Sequence, residues 1–346
     1  MAPHDDGPER MRALAAELPS TFLEGFRAGR DLAVPAAPKG TTIVLVGMGG
    51  SAIAADLARG LVESETPLAL AIVRAPELPR AVDGRSRVVL VSYSGNTWET
   101  LRAYDAAGRL GAHRVVVTSG GELAERATRD RVPLLGVPAG RPPRSAVGHL
   151  LGGLLGLLDP SFPESNEDRA RRAAAHTEAL LGGWQRPRGL PRSIADRLGD
   201  RLPFVYADPS FVGLARRWKT QIEENAKRVA VFDEIPELLH NALVGWDATA
   251  RAEARRYAVV LLEWAGLSGP MRESFDYLRH LVVRRGATVI RVPLDPEDRL
   301  EALLAGIALG DQVSLAVAAR RRVDPYPVAA IVRLKATVRP SRRPRG

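Results

Sequence analysis

Glu224 and His240 stand sixteen residues apart, one in Glu224-Asn-Ala-Lys227 and the other in Pro236-Glu-Leu-Leu-His-Asn241. A carboxylate and an imidazole are the pair needed to open a sugar ring and move a proton between adjacent carbons. Each also has a bland reading. A Glu near a helix C-terminus is usually solvated, and a lone His is usually a hydrogen-bonded core residue.

Two loops add a second kind of chemistry. Gly47-Met-Gly-Gly-Ser51 lies between an apolar run and a helical pattern. Backbone amides and the positive end of a helix dipole make an anion site at such a junction, and Gly49, Gly50 and Ser51 are its candidate residues. Read as Gly47-x-Gly49-x-x-Ala52, the loop also fits a relaxed dinucleotide pattern. Against that, the second strand ends in Val73-Arg74, with no ribose-binding carboxylate. A tight turn with no ligand is the remaining alternative. Ser92-Tyr-Ser-Gly-Asn-Thr-Trp-Glu-Thr100 follows the next strand, and its Ser92, Ser94 and Thr97 are short neutral donors at another helix start. Such a loop holds a phosphate without lysine, unless Asn96 or Thr97 simply caps the helix. Two such loops at strand ends of one open sheet point to a ligand, because ligands bind outside the carboxyl ends of strands.

These residues need a frame to position them. Thr41–Val46, Leu68–Val73, Arg87–Val91, Arg114–Thr118 and Val132–Val137 read as buried strands, with helices at 51–62 and 97–110. Residues 9–30 have the apolar spacing of a helix pair, residues 145–158 read as a buried helix, and 166–184 as a polar, Ala-rich one. After Gln185–Pro191, the best boundary, the rhythm repeats. Strands are expected at 202–207, 257–264 and 288–292, and helices at 211–226, 271–285, 300–319 (broken near Gly310) and 328–338. The fold class is therefore α/β, a doubly wound mostly parallel sheet occurring twice. The divisions are a helical segment at 1–39, a first domain at 40–160, a connection at 161–191, a second domain at 192–338 and a disordered basic tail at 339–346.

Composition narrows the classes. The absence of Cys removes disulfide scaffolds, Cys-ligated metals and thiol nucleophiles. The net charge of +9 raises nucleic acid as a partner. However, only Lys39, Lys219, Lys227 and Lys335 are lysines; the arginines are scattered among acids, with no recognisable binding motif. No specific nucleic-acid partner is expected. The longest apolar stretch, Leu150–Leu158, is far short of the ~20 residues that span a bilayer, and no h-region opens the chain. A soluble, cytoplasmic protein with no membrane association is expected.

The strand–GMGGS–helix and strand–SYSGNTWET–helix pair, over roughly residues 40–150, resembles the sugar isomerase (SIS) fold. The composite E-N-A-K…P-E…H-N-x-x-x-G, ending at Gly245, extends the likeness over nearly the whole chain. With Pro143-Arg144-Ser-Ala146, Leu309–Ser314 and Val323-Asp-Pro-x-Pro…Leu334-Lys335, it resembles the bifunctional phosphoglucose/phosphomannose isomerases, built from two SIS domains. The resemblance implies an aldose–ketose isomerase acting on a phosphorylated hexose through a cis-enediolate. Gly49, Gly50, Ser51, Ser92, Ser94 and Thr97 would bind the 6-phosphate. Glu224 would be the base, His240 would assist ring opening, Arg144 would stabilise the enediolate and Lys335 would sit at the ring-opening site. It also implies a homodimer with shared sites.

No metal and no cofactor are called for, since proton transfer between adjacent carbons needs a base and an electrostatic stabiliser. Two other classes stay open: a phosphosugar-binding regulator, which would have no reason to keep Glu224, His240 and Arg144 together, and an NADP enzyme, which predicts no special hydroxyl loop. The N-terminal thirty residues and the tail lie outside the likeness and are expected not to touch the site. Arg320-Arg-Arg322 stands where relatives often carry a glycine turn.

Overall fold

The computed structural model describes residues 6–35, 38, 40–162, 166–184, 186 and 189–337, apart from the side chains of Lys335 and Ala336. The basic tail, and most of the segment joining the two halves at 185–189, lie outside the described residues.

Helices α1 (Gly7–Ala16) and α2 (Leu18–Asp31) precede the first sheet. The first half then runs β1 (Thr42–Gly47), α3 (Gly50–Glu65), β2 (Ala69–Val73), β3 (Arg87–Ser92), α4 (Trp98–Arg109), β4 (His113–Thr118), α5 (Gly121–Arg129), β5 (Leu134–Gly136) and α6 (Val147–Leu158). Its five strands are parallel in the order β2-β1-β3-β4-β5. The alternation of side chains explains why β1 reads as a continuous apolar run. Ile43 and Leu45 face the large core shared with α2, α3 and α6, while Val44 and Val46 face Tyr104 of α4 and Leu123 of α5.

After α7 (Glu167–Trp184) and α8 (Leu190–Leu198), the second half runs β6 (Leu202–Ala207), α9 (Val212–Ala226), β7 (Val231–Glu234), α10 (Ala242–Ala248), α11 (Arg251–Ala254), β8 (Tyr257–Trp264), α12 (Gly269–Arg285), β9 (Thr288–Leu294), α13 (Arg299–Arg320) and α14 (Ala329–Thr337). Its sheet is also parallel, ordered β7-β6-β8-β9. The doubly wound α/β class holds for both halves.

Several details differ from the reading of the sequence. The helix expected to break near Gly310 is continuous, because its missing side chain makes room for Trp218: a Cβ there would lie 2.4 Å from the indole Nε1. α13 is also the one described helix long and apolar enough to cross a membrane, but 83% of that window is buried inside the protein. The fifth strand is shorter than Val132–Val137. α5, α8 and β7 were not anticipated.

Two close approaches lock the frame. α2 and α6 cross with backbones touching: side chains at Gly148, Gly152 and Gly156 would meet Thr21, Phe22 and Phe26, and side chains at Gly25 and Gly29 would meet the carbonyls of His149 and Gly153. The halves meet where α3 crosses the start of α9, with Gly213 against the carbonyl of Asp56 and Gly60 against that of Ser210.

Candidate active site

The two loops of the first half sit side by side because β1 and β3 are neighbours in register, Gly47 opposite Val91. Gly49 adopts φ +52°, left-handed backbone that a glycine accommodates freely. Ser51 is buried and accepts a hydrogen bond from the Tyr93 N–H at 3.1 Å, which ties the first loop to the second. Ser92 is buried and donates to Thr97 Oγ1 at 3.0 Å. Ser94 is exposed, its hydroxyl accepting from the Asn96 N–H at 3.3 Å, and Thr97 is half-buried.

Plain capping does not account for this loop. Thr97 occupies the N-cap of α4 but its side chain makes no cap bond. Asn96 instead accepts from the N–H of Glu122, at the start of α5. The first amides of α4 are thus not taken by the loop's own hydroxyl, and the helix end keeps its capacity for an anion.

From these loops a chain of contacts leads to the second half. The Tyr93 hydroxyl donates to Pro138 O and accepts from the Arg141 N–H. The chain then enters a 3-10 turn, Pro143–Ala146, which lies against Gly50: a Cβ on Gly50 would be 3.4 Å from the Arg144 nitrogen. Arg144 is 3% exposed, and its Nη1 stands 3.5 Å from Glu224 Oε2. Glu224, 28% exposed, projects from the last turn of α9. Its bland reading as a freely solvated carboxylate fails on the presence of this guanidinium.

Burial pulls the Arg144 pKa down, and the carboxylates of Glu224 and Asp311 oppose that shift. A guanidinium stays protonated through such a shift, so the site keeps a fixed positive charge. Lys227 ends α9 in a left-handed conformation, and its Nζ donates to the carbonyls of Glu224 (2.5 Å) and Pro325 (3.2 Å). Burial, and next Arg144, lower its pKa.

The other expected residues are arranged differently. His240 is exposed on a 3-10 turn that follows edge strand β7, and among the described residues no hydrogen bond or ion pair joins it to Glu224. Lys335 lies on α14, but its side chain is outside the described residues. One expectation is overturned. The N-terminal segment does touch the site: Met11 of α1 places its sulfur 3.7 Å from Arg144 Nη2. The amphipathic spacing of α1 showed a buried face without showing what it covers.

Sequence reasoning also passed over a buried polar row. Arg217, Gln221 and Asn225 recur every four residues on α9 and meet Asp311 and Ser314 of α13. The i, i+4, i+8 spacing was a readable signal of a shared polar stripe. Among the described residues no group of three or more His, Cys, Asp or Glu could hold a metal.

Comparison with known proteins agrees with this architecture. A family described as "Bacterial phospho-glucose isomerase C-terminal SIS domain" matches residues 189–338. A protein of Caldicellulosiruptor bescii named bifunctional phosphoglucose/phosphomannose isomerase is 30% identical over 326 residues, covering 92% of this chain and 96% of the relative. One of the same name from Aquifex aeolicus is 32% identical over 295 residues, covering 85% and 89%. Among solved structures, the tagatose-6-phosphate ketose/aldose isomerase of Escherichia coli superposes with a TM-score of 0.71 at 17% identity, covering 93% and 96%. At that identity the superposition speaks for the fold alone.

Proposed function

We propose a reaction and its residues for a chain that belongs to the bifunctional phosphoglucose/phosphomannose isomerase family. The protein is an isomerase with the SIS architecture. Its substrate is glucose 6-phosphate, mannose 6-phosphate or both, interconverted with fructose 6-phosphate. The observation that carries this reading is Arg144 Nη1 at 3.5 Å from Glu224, on a turn packed against the glycine loop.

The 6-phosphate binds over Gly49, Gly50 and Ser51 and the hydroxyls of Ser92, Ser94 and Thr97, where amides and helix dipole supply the positive field. Glu224 takes the proton from C2 of the open-chain aldose, so that negative charge builds on the oxygens of a cis-enediolate; the same carboxyl group then returns the proton to C1, which discharges the enediolate to the ketose. The Arg144 guanidinium, already fixed and desolvated, stabilises that charge without reorganising. His240 assists ring opening, and Lys335 stands with it. No hydride carrier is involved, which sets the reading apart from an NADP enzyme. The relatives are named as enzymes, so a non-catalytic phosphosugar regulator is not favoured.

His240 reaches the site from a second copy of the chain, in a homodimer with shared sites. Its exposure beyond an edge strand supports this. The division into 1–39, 40–160, 161–191, 192–338 and 339–346 is retained, supported on the C-terminal side by the family match at 189–338. A cytoplasmic location suits phosphosugar chemistry.

The test is an activity panel with glucose, mannose and fructose 6-phosphates, in chelator and without nicotinamide. Conversion of at least one aldose is expected; activity that vanishes in EDTA would overturn the mechanism. Refolding Glu224→Gln together with His240→Ala tests the sharing. If half the dimers are mixed, about a quarter of wild-type activity returns. No recovery from verified mixed dimers would put both residues in one subunit's site or remove one from the mechanism.

A further inference from the structure

A guanidinium has five N–H groups: one on Nε and two on each Nη. In Arg144, Nε donates to Asn225 Oδ1 at 2.8 Å. Nη2 donates to the carbonyls of Pro325 (2.7 Å) and Tyr326 (2.9 Å). Three of the five are committed to the protein. Nη1 makes no hydrogen bond among the described residues, and it is the nitrogen nearest Glu224. The group is held at one edge so that the other faces the base.

The holding contact has a support of its own. Asn225 is 1% exposed, and its Nδ2 donates to Ser314 Oγ at 2.9 Å. The Ser314 hydroxyl gives its single proton to the carbonyl of Asp311 at 2.7 Å. It can then only accept from Asn225, which puts the amide nitrogen toward Ser314 and the oxygen toward Arg144. A flipped amide would set N–H against N–H at Arg144, and its oxygen against a hydroxyl oxygen with no proton to give at Ser314. The backbone of Arg144 is fixed separately, its carbonyl accepting from Arg217 at 3.2 Å.

We infer that Asn225, locked in one orientation by Ser314, is the positioning residue that aims Arg144 at the reacting oxygens. The inference rests on the isomerase reading above. Asn225 touches no substrate; it acts through Arg144. Its effect belongs to the transition state, where charge appears on the enediolate oxygens, and not to phosphate binding at the first-half loops.

Four proteins decide it: wild type, Asn225→Ala, Asn225→Asp and Ser314→Ala. Each is assayed for kcat and KM with fructose 6-phosphate and for binding of two inhibitors, a phosphorylated hydroxamate that mimics the enediolate and a hexitol 6-phosphate that does not. Asn225→Ala is expected to lower kcat about 100-fold with KM within about threefold, because its effect is on charge developing in the transition state. Hydroxamate affinity should fall in parallel and hexitol affinity should stay. Asn225→Asp keeps an acceptor for Nε and should recover most of the loss. Ser314→Ala should show the same split at about tenfold in kcat. Should Asn225→Ala not fold, Ser314→Ala and Asn225→Asp still carry the test. A near-wild-type kcat in the folded variants, equal weakening of both inhibitors, or failure of the aspartate to recover activity would overturn the inference alone. A wild-type protein inactive on every hexose 6-phosphate would overturn the isomerase reading first, and the inference with it.

Discussion

At the carboxyl end of the first sheet, β1 and β3 run into Gly47–Ser51 and Ser92–Thr97, where Gly49 and Ser94 lie exposed. At the same end of the second sheet, β6 runs into Asp208-Pro-Ser-Phe211 and β8 into Trp264-Ala-Gly-Leu-Ser268. There the space is filled. Trp264 stacks near Phe211 with ring centroids 5.7 Å apart, donates to Pro296 O, and carries Arg299 over its face at 4.4 Å. Asp298 caps α13 and accepts from Arg169, which also binds Glu65 at the end of α3. One fold has thus used equivalent strand ends for different ends. Small residues and hydroxyls leave the first as a cradle; a tryptophan and an ion cluster turn the second into a joint between the halves. In the proposed reaction the second half supplies its base, Glu224, from a helix terminus instead.

The sharpest way to break this division is Glu224→Gln. The amide keeps the shape but accepts no proton, so kcat should fall about 10²–10⁴-fold while phosphosugar affinity, which the proposal assigns to the first-half loops, changes little. Near-wild-type turnover would show that another group is the base. Next in size are paired hydroxyl removals at equivalent positions. Thr97→Ala or Ser94→Ala should each weaken binding of a phosphorylated ligand by about 1.5–3 kcal/mol, read by calorimetry. Ser268→Ala, at the N-cap of α12 where the hydroxyl accepts from Met271, should leave that affinity alone and cost about 1 kcal/mol of stability. Equal affinity losses on both sides would mean the second end also binds ligand.

The smallest effect is expected at Asp208. Burial raises its pKa, and one carboxylate oxygen is buried without a partner while the other accepts from Ser210. A carboxyl with a raised folded pKa favours folding below its unfolded value and loses that contribution as pH rises through the folded value. Asp208→Asn removes the penalty. Relative to wild type it should gain stability from about pH 4 upward, by thermal melts across pH, with catalysis unchanged. A loss of activity would mark Asp208 as more than part of the joint.

The strands were legible because the central ones are apolar on both faces, as in Ile43–Val46 and Val88–Val91. β7 was not, because Val231-Phe-Asp-Glu234 is short, half polar and at an edge. The hydroxyl loop was legible from residue types alone. Arg144 was reached only through family likeness, since nothing local separates one buried arginine from the many on the surface. The polar row Arg217, Gln221 and Asn225 reads locally as a solvated face. Its burial depends on α13, some ninety residues away.

The glycine crossing of α2 and α6 bears on how this sequence can vary. Gly148, Gly152 and Gly156 recur at every fourth residue against the backbone of Phe22 and Phe26, while Gly25 and Gly29 lie against His149 and Gly153. A saturation library selected for growth should therefore show two short combs of intolerant sites, blank even to alanine, far from any catalytic group. Recombination that swaps the first thirty residues between homologues should succeed only when both sides of the crossing travel together. In this chain α2 and residues 148–156 are packed so closely that they should be exchangeable only as one piece.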